Sequence, residues 1–317
     1  MVEPEAPRRE GGRRWVARLK AVVGLALLAV IAVYVYRHAD MLSRLPALSV
    51  GAWAAIVALT AGIGTTSVLA VQRMLNAVGA GVRFGEMFLL HNAAYLLNLL
   101  PAKAGTVLRA TYLKRRHDFS FARFGVFAVG LTLLTVLVSS AIGLASLLTV
   151  YGLDSLAGRV FAALLAASVT ASALLLLVPL PTPRWSGRLG GALREFVASR
   201  GELVRRPRAL LGPGAWLLCG YLLTTARLGV IYQGVGLSPH LGGLLLLGAL
   251  GQVSTVVNLT PGGLGVRELL LGGGAAVLGV PVEVGLLVAL IERSVGLVWS
   301  VVVGIPSAVW VWRRQAD

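Results

Sequence analysis

Asn258-Leu259-Thr260-Pro261-Gly262-Gly263-Leu264-Gly265-Val266-Arg267-Glu268 lies inside a long apolar region and interrupts it. Pro261 has no backbone N–H and clashes with a preceding helical turn. Gly262, Gly263 and Gly265 open dihedrals that other residues avoid. In hydrocarbon, irregular backbone is tolerated only where protein or a wet cavity surrounds it. The stretch therefore predicts a broken helix inside a bundle, next to something polar. A weaker copy comes earlier, Asn98-Leu99-Leu100-Pro101-Ala102-Lys103-Ala104-Gly105, in the same N-L-x-P-x-x-x-G form. Gly51-Ala52-Trp53 precedes the first copy and Gly214-Ala215-Trp216 the second, with Val78-Gly79 and Val235-Gly236 in between. Three matches in one order predict a duplicated unit.

The composition fits this membrane reading. Hydrophobic residues make up 57% of the chain and charged residues only 13%, and the mean hydropathy is +0.82. That excludes an ordinary soluble domain. A net charge of +16 would suit a nucleic-acid binder, but the basic residues fall between the apolar runs, so no nucleic acid is expected. Cys219 is the one cysteine, so no disulfide forms within the chain, and with four histidines no metal-ligand spacing stands out. No phosphate-binding G-x-x-x-x-G-K loop, H-E-x-x-H or G-x-S-x-G occurs. An enzyme is therefore not expected and no cofactor is implied; an intramembrane transferase using Glu268 or Glu292 as base is the residual catalytic alternative.

The apolar runs at about 21–36, 51–71, 124–150, 160–180, 213–236 and 282–311 predict six full spans of a ~30 Å hydrocarbon core. Two broken or re-entrant helical hairpins complete the all-α polytopic fold, one around each N-L-x-P segment. The run at 21–36 reads as a retained span, because Tyr34, Tyr36, Arg37 and His38 follow it instead of a small-residue cleavage site. The expected layout is a basic cytoplasmic N-terminus at 1–20, one transmembrane domain at 21–312, and a tail at 313–317. Within the domain, repeat one covers about 51–150 and repeat two about 213–311. A basic cytoplasmic linker at 181–212 joins them, with seven arginines expected against anionic lipid heads.

With both termini inside, the cytoplasmic segments hold 23 of the 29 Lys and Arg residues. Arg267 falls on an outer segment in this topology. The two Gly-Ala-Trp spans then start on opposite sides, so the repeats are inverted, a pattern that secondary transporters use to build a site near the midplane.

Ionisable residues in a span cost ~2.5–3.5 kcal/mol each near its centre, so those present require a reason. Arg227 lies in the 213–236 run, Glu292 and Arg293 in the last run, and Glu268 just after the second break. The candidate substrate path is Arg227, Asn258, Pro261, Gly262, Gly263, Gly265, Glu268, Glu292 and Arg293. Gln252 adds a neutral polar group. Arginine offers a planar fork of donors suited to a phosphate, and the glutamates can balance charge or take a proton. The competing explanation is a set of ion pairs that only lock helices together. Glu292 and Arg293 point about 100° apart on a helix, so their partners are expected on other helices. Asn98, Pro101, Lys103, Gly105 and Arg109 form a candidate inner opening, with positive-inside bias as the alternative origin of its two cations.

At these residues the chain resembles the flippase-like family, the membrane region of lysylphosphatidylglycerol synthase in its stand-alone form. Pro261-Gly262-Gly263-Leu264-Gly265-Val266-Arg267-Glu268 is similar to its P-G-G-x-G-x-x-E signature. Pro101, Lys103 and Gly105 resemble its earlier P-x-[RK]-x-G motif, and Glu292-Arg293 its late E-R pair. The resemblance spans about 20–312. It implies a polytopic inner-membrane protein that moves lipids between leaflets, without synthase activity, since the aminoacylating soluble domain is absent from this sequence. Thr106 departs from the family's common acidic residue, and the 124–150 run lacks a Glu-Arg pair.

The expected function is translocation of an anionic lipid or lipid-linked intermediate by alternating access, with membrane lipids as partners and an envelope-lipid enzyme as a further candidate partner. The alternatives are a small-solute or ion transporter and a non-transporting membrane partner of such an enzyme.

Overall fold

The computed structural model describes residues 48–99, 103–178, 187–254 and 265–316. The first expected span at 21–36 and the N-terminus lie outside them. The described residues fold into helices alone. In chain order these are α1 (Val50–Ala77), α2 (Phe84–Leu97), α3 (Ala104–His117), α4 (Phe121–Ser146), α5 (Leu156–Leu177), α6 (Gly187–Arg205), α7 (Leu211–Gly234), α8 (Leu241–Val253), α9 (Val266–Val277) and α10 (Val282–Ala316). A single π turn, Leu147–Tyr151, extends α4, and a 3₁₀ turn, Pro207–Leu210, leads into α7.

Among the described residues, five stretches are long and apolar enough to cross a membrane: Val50–Ala77, Phe121–Tyr151, Leu156–Leu177, Pro207–Gly234 and Val282–Arg314. They coincide with five of the six runs read from the sequence. Serine side chains start three of these helices. Ser49 accepts from the Ala52 N–H, Ser120 from Arg123 and Ser155 from Gly158, as N-caps do for otherwise orphaned amide groups.

The helices beside each N-L-x-P break are short. At 1.5 Å per residue, 14 residues reach only ~21 Å, too little to span alone. Asn98 closes the first hairpin, its side-chain oxygen accepting from the Thr106 N–H at 3.1 Å. Gly105 is obligatory there, because a Cβ would lie 1.7 Å from the Ala94 carbonyl oxygen.

Helices from before and after the Gly187–Arg205 helix contact one another in a reciprocal pattern. The first long helices, α1 and α7, run antiparallel: Leu48 meets Gly234, Thr60 meets Arg227, and Thr66 meets Gly220. The short helix α2 packs on the long helix α10, and the short helix α8 packs on the long helix α4. Each crossing is made close by a glycine. A Cβ on Gly143 would lie 2.3 Å from the Ala249 Cβ, and one on Gly304 would lie 2.7 Å from the Leu96 Cβ. The Ser146 hydroxyl ties α4 to α8 by donating to the Gly242 carbonyl at 2.6 Å.

The basic stretch at 181–212 differs from the expected loop. Residues Gly187–Arg205 form a helix whose Phe196 and Leu203 pack toward the start of α4, with Val197 buried beside them in the sequence. Its arginines leave one apolar stripe at helical spacing, and Arg, Leu and Glu are good helix formers. Arg200 turns inward and donates to the Leu175 and Val178 carbonyls, satisfying the C-terminal end of α5. At the same end of the bundle, Glu86 accepts from Tyr112 at 2.9 Å and contacts His117 at 3.0 Å. Burial alone would raise the Glu86 pKa, but these hydrogen bonds and the charges of His117 and Arg116 hold it below the ordinary carboxylate value. The Tyr112 hydroxyl is pushed up to about 12, first by burial and then by Glu86.

Gly143→Val and Gly304→Val should each destabilise the detergent-solubilised protein, by about 1–3 kcal/mol as overpacking does. Gly85→Ala, where an added Cβ meets nothing within 4 Å, should not. Thermal unfolding of the three variants checks this, and equal midpoints would show that the crossings do not need glycine.

Candidate functional site

Four helices bring the intramembrane charges together. Arg227 on α7 donates from Nη1 to the Thr60 hydroxyl at 3.0 Å and from Nη2 to Glu292 Oε1 at 2.7 Å. The hydroxyl of Thr60 on α1 donates its own hydrogen bond to the Ile56 carbonyl at 2.7 Å, which leaves its lone pairs to accept from the arginine. The second oxygen of Glu292, on α10, accepts from Arg267 Nη2 at 2.7 Å. Arg267 lies in the first turn of α9.

Glu268 and Arg293 make a second pair. Glu268 Oε1 accepts from Arg293 Nη1 at 2.7 Å, and its Oε2 accepts from the Gly265 N–H at 2.8 Å. Gly265 has a φ of +83°, which a side chain would strain. The glycine break and the ion pair are therefore one device: Glu268 caps the helix that starts after the break and holds an arginine from α10.

The pairs line a cavity of about 320 Å³. Arg227, Arg267, Glu292 and Arg293 form one wall, and His91, Asn92 and Tyr95 on α2 form another. Glu268 is fully buried behind Arg293. Three arginines and two glutamates leave a formal charge of +1. Arg227 is 7% exposed, and its Nε, like that of Arg267, is buried without a hydrogen-bond partner. Tyr95, Leu99 and Leu297, which also line the cavity, are exposed at the bundle surface. A smaller cavity of about 50 Å³ lies between α1, α4, α7 and α8 and shares Ile63, Ser67, Thr224 and Gln252 with the larger one. Among the described residues no group of three His, Cys, Asp or Glu could hold a metal.

Arg227, Glu268, Glu292 and Arg293 thus meet, and the partners of Glu292 and Arg293 do lie on other helices. Asn258, Pro261, Gly262, Gly263 and Pro101 lie outside the described residues. In the first hairpin, Asn98 and Gly105 serve its closure, Lys103 is exposed with a left-handed φ of 53°, and Arg109 turns toward His91. Arg267, expected on an outer segment and not among the candidate path residues, joins the network through the buried Oε2 of Glu292. His91 and Tyr95 were missed as well. A histidine within an otherwise apolar helix was the available signal for the first.

Residues 21–304 match the family model described as the lysylphosphatidylglycerol synthase TM region. No curated protein and no solved structure matches. The chain belongs to that family, a multi-pass membrane family related to lipid handling.

Glu292→Gln strands Arg227 and Arg267 together. Breaking a buried pair costs about 3–5 kcal/mol, so this variant should unfold well below the intact protein. Arg293→Ala combined with Glu268→Gln should lose less than the two single losses added together. Melting of the single and double variants in one detergent tests both statements; additive losses would mean that the 2.7 Å contact carries no coupling.

Proposed function

We propose that this member of the lysylphosphatidylglycerol synthase TM-region family moves an anionic lipid or lipid-linked intermediate between leaflets by alternating access. The observation that carries the reading is the cationic cavity with an apolar, surface-exposed rim at Tyr95, Leu99 and Leu297. A headgroup phosphate meets arginine forks inside while its acyl chains stay in the bilayer, so few charges suffice.

The two halves act as inverted repeats in this reading. Antiparallel α1–α7 packing, the reciprocal crossings at Gly143 and Gly304, and short helices at both breaks support that arrangement. The hairpins are then re-entrant from opposite faces. Counting the run at 21–36, six spans place both termini in the cytoplasm of an inner membrane, with α6 lying along anionic lipid heads. No cofactor and no catalytic step is required.

A second reading has a specific observation in its favour. Arg227 and Arg293 each hold a carboxylate at 2.7 Å, as they would in a non-transporting partner of an envelope-lipid enzyme whose helices are merely locked.

Proteoliposomes with headgroup-labelled phosphatidylglycerol separate the two. The intact protein should carry label across the bilayer, and Arg293→Ala and Glu268→Gln should each slow it by roughly tenfold or more, the effect of losing one charge-assisted hydrogen bond. Equal rates in all three would remove these residues from the path. No movement by the intact protein would favour the locked bundle.

A further inference from the structure

Behind His91, which lines the cavity, stands a cation that the ion-pair network does not use. Arg109 on α3 contacts His91 Nδ1 through Nη2 at 3.4 Å, and its Nε is buried without a hydrogen-bond partner. Among the described residues no carboxylate pairs with it, whereas Arg227, Arg267 and Arg293 each hold one. His91 itself lines the cavity. With Nδ1 accepting from the guanidinium, its Nε2 carries the proton and is a donor on the cavity wall.

An unpaired guanidinium within a bundle is costly unless an anion reaches it. The charges in and just behind the cavity lining add: +1 from three arginines and two glutamates, and +1 from Arg109 behind His91. A phosphodiester headgroup, with one negative charge, leaves one cation uncompensated. A group with two negative charges compensates both.

We propose that Arg109 and His91 form a second anion subsite of this cavity, and that the headgroup it takes is dianionic, a phosphate monoester or a diphosphate. This deepens the lipid-transport reading and rests on it.

Calorimetric binding to the purified, detergent-solubilised full chain tests the proposal. At about pH 8 a phosphate monoester, with a second pKa of ≈ 6, is dianionic. The probes are dioctanoyl phosphatidic acid, dioctanoyl phosphatidylglycerol and glycerol 3-phosphate. The intact protein should bind phosphatidic acid about tenfold tighter than phosphatidylglycerol, the effect of one additional charge-assisted contact. Arg109→Gln should bring that ratio to about one, while Arg109→Lys should restore part of it, which a folding defect would not allow. Equal affinity of the intact protein for the two lipids overturns the second subsite and leaves lipid transport standing. An unchanged ratio in Arg109→Gln overturns it too. Binding of neither lipid overturns both readings. Glycerol 3-phosphate binding as tightly as phosphatidic acid supports the dianion subsite but transfers its ligand from lipid to solute.

Discussion

Two buried carboxylates hold this bundle's charges in place. Glu292 takes Arg227 with one oxygen and Arg267 with the other, and Glu268 takes Arg293. Without them, three guanidiniums would stand in a medium where each charge costs several kcal/mol. The pairs join α1, α7, α9 and α10 through side chains that hydrophobic packing cannot align by itself. Between lipid-bathed helices the hydrophobic effect supplies little association energy, so close packing and polar contacts decide the geometry. Glycines provide the first at Gly143 and Gly304, and the arginines and glutamates provide the second.

The glycine break gains its meaning from that constraint. A straight helix through 258–268 would carry no free amide at Gly265 and would need no acid there. Ending the helix and starting another exposes N–H groups, and Glu268 answers one of them while holding Arg293. The first break has no such acid. Aligned on Gly105 and Gly265, Leu108 stands where Glu268 does, and aligned on Gly143 and Gly304, Leu131 and Thr132 stand where Glu292 and Arg293 do. There Asn98 closes the hairpin with an uncharged acceptor.

Much of this was legible in the sequence because it depends on local signals. Apolar runs fixed five spans, proline and glycine fixed both breaks, and charges inside the runs singled out Arg227, Glu268, Glu292 and Arg293. Pairing was not legible. Arg227 and Glu292 are 65 positions apart and Thr60 is 167 from Arg227, and no periodicity encodes which helices become neighbours. Arg267 was left out of the candidate path because its motif lies at the edge of an apolar run, where an arginine ordinarily reaches water. The helix at Gly187–Arg205 was hidden by its arginines, although Phe196, Val197, Arg200 and Leu203 recur at helical spacing.

The glutamates also bear on how such a cavity could let an anion go. Three bare arginines around a phosphate would form a deep trap, since charge-assisted bonds strengthen where water is excluded. Glu292 and Glu268 already occupy the best donors at 2.7 Å, so an arriving phosphate must compete with carboxylates for the same guanidiniums. Its net gain is the difference between two similar interactions, not the whole of one. The proposed transport needs binding that is favourable on entry and weak enough for exit, and a ledger of +3 and −2 suits that better than +3 alone.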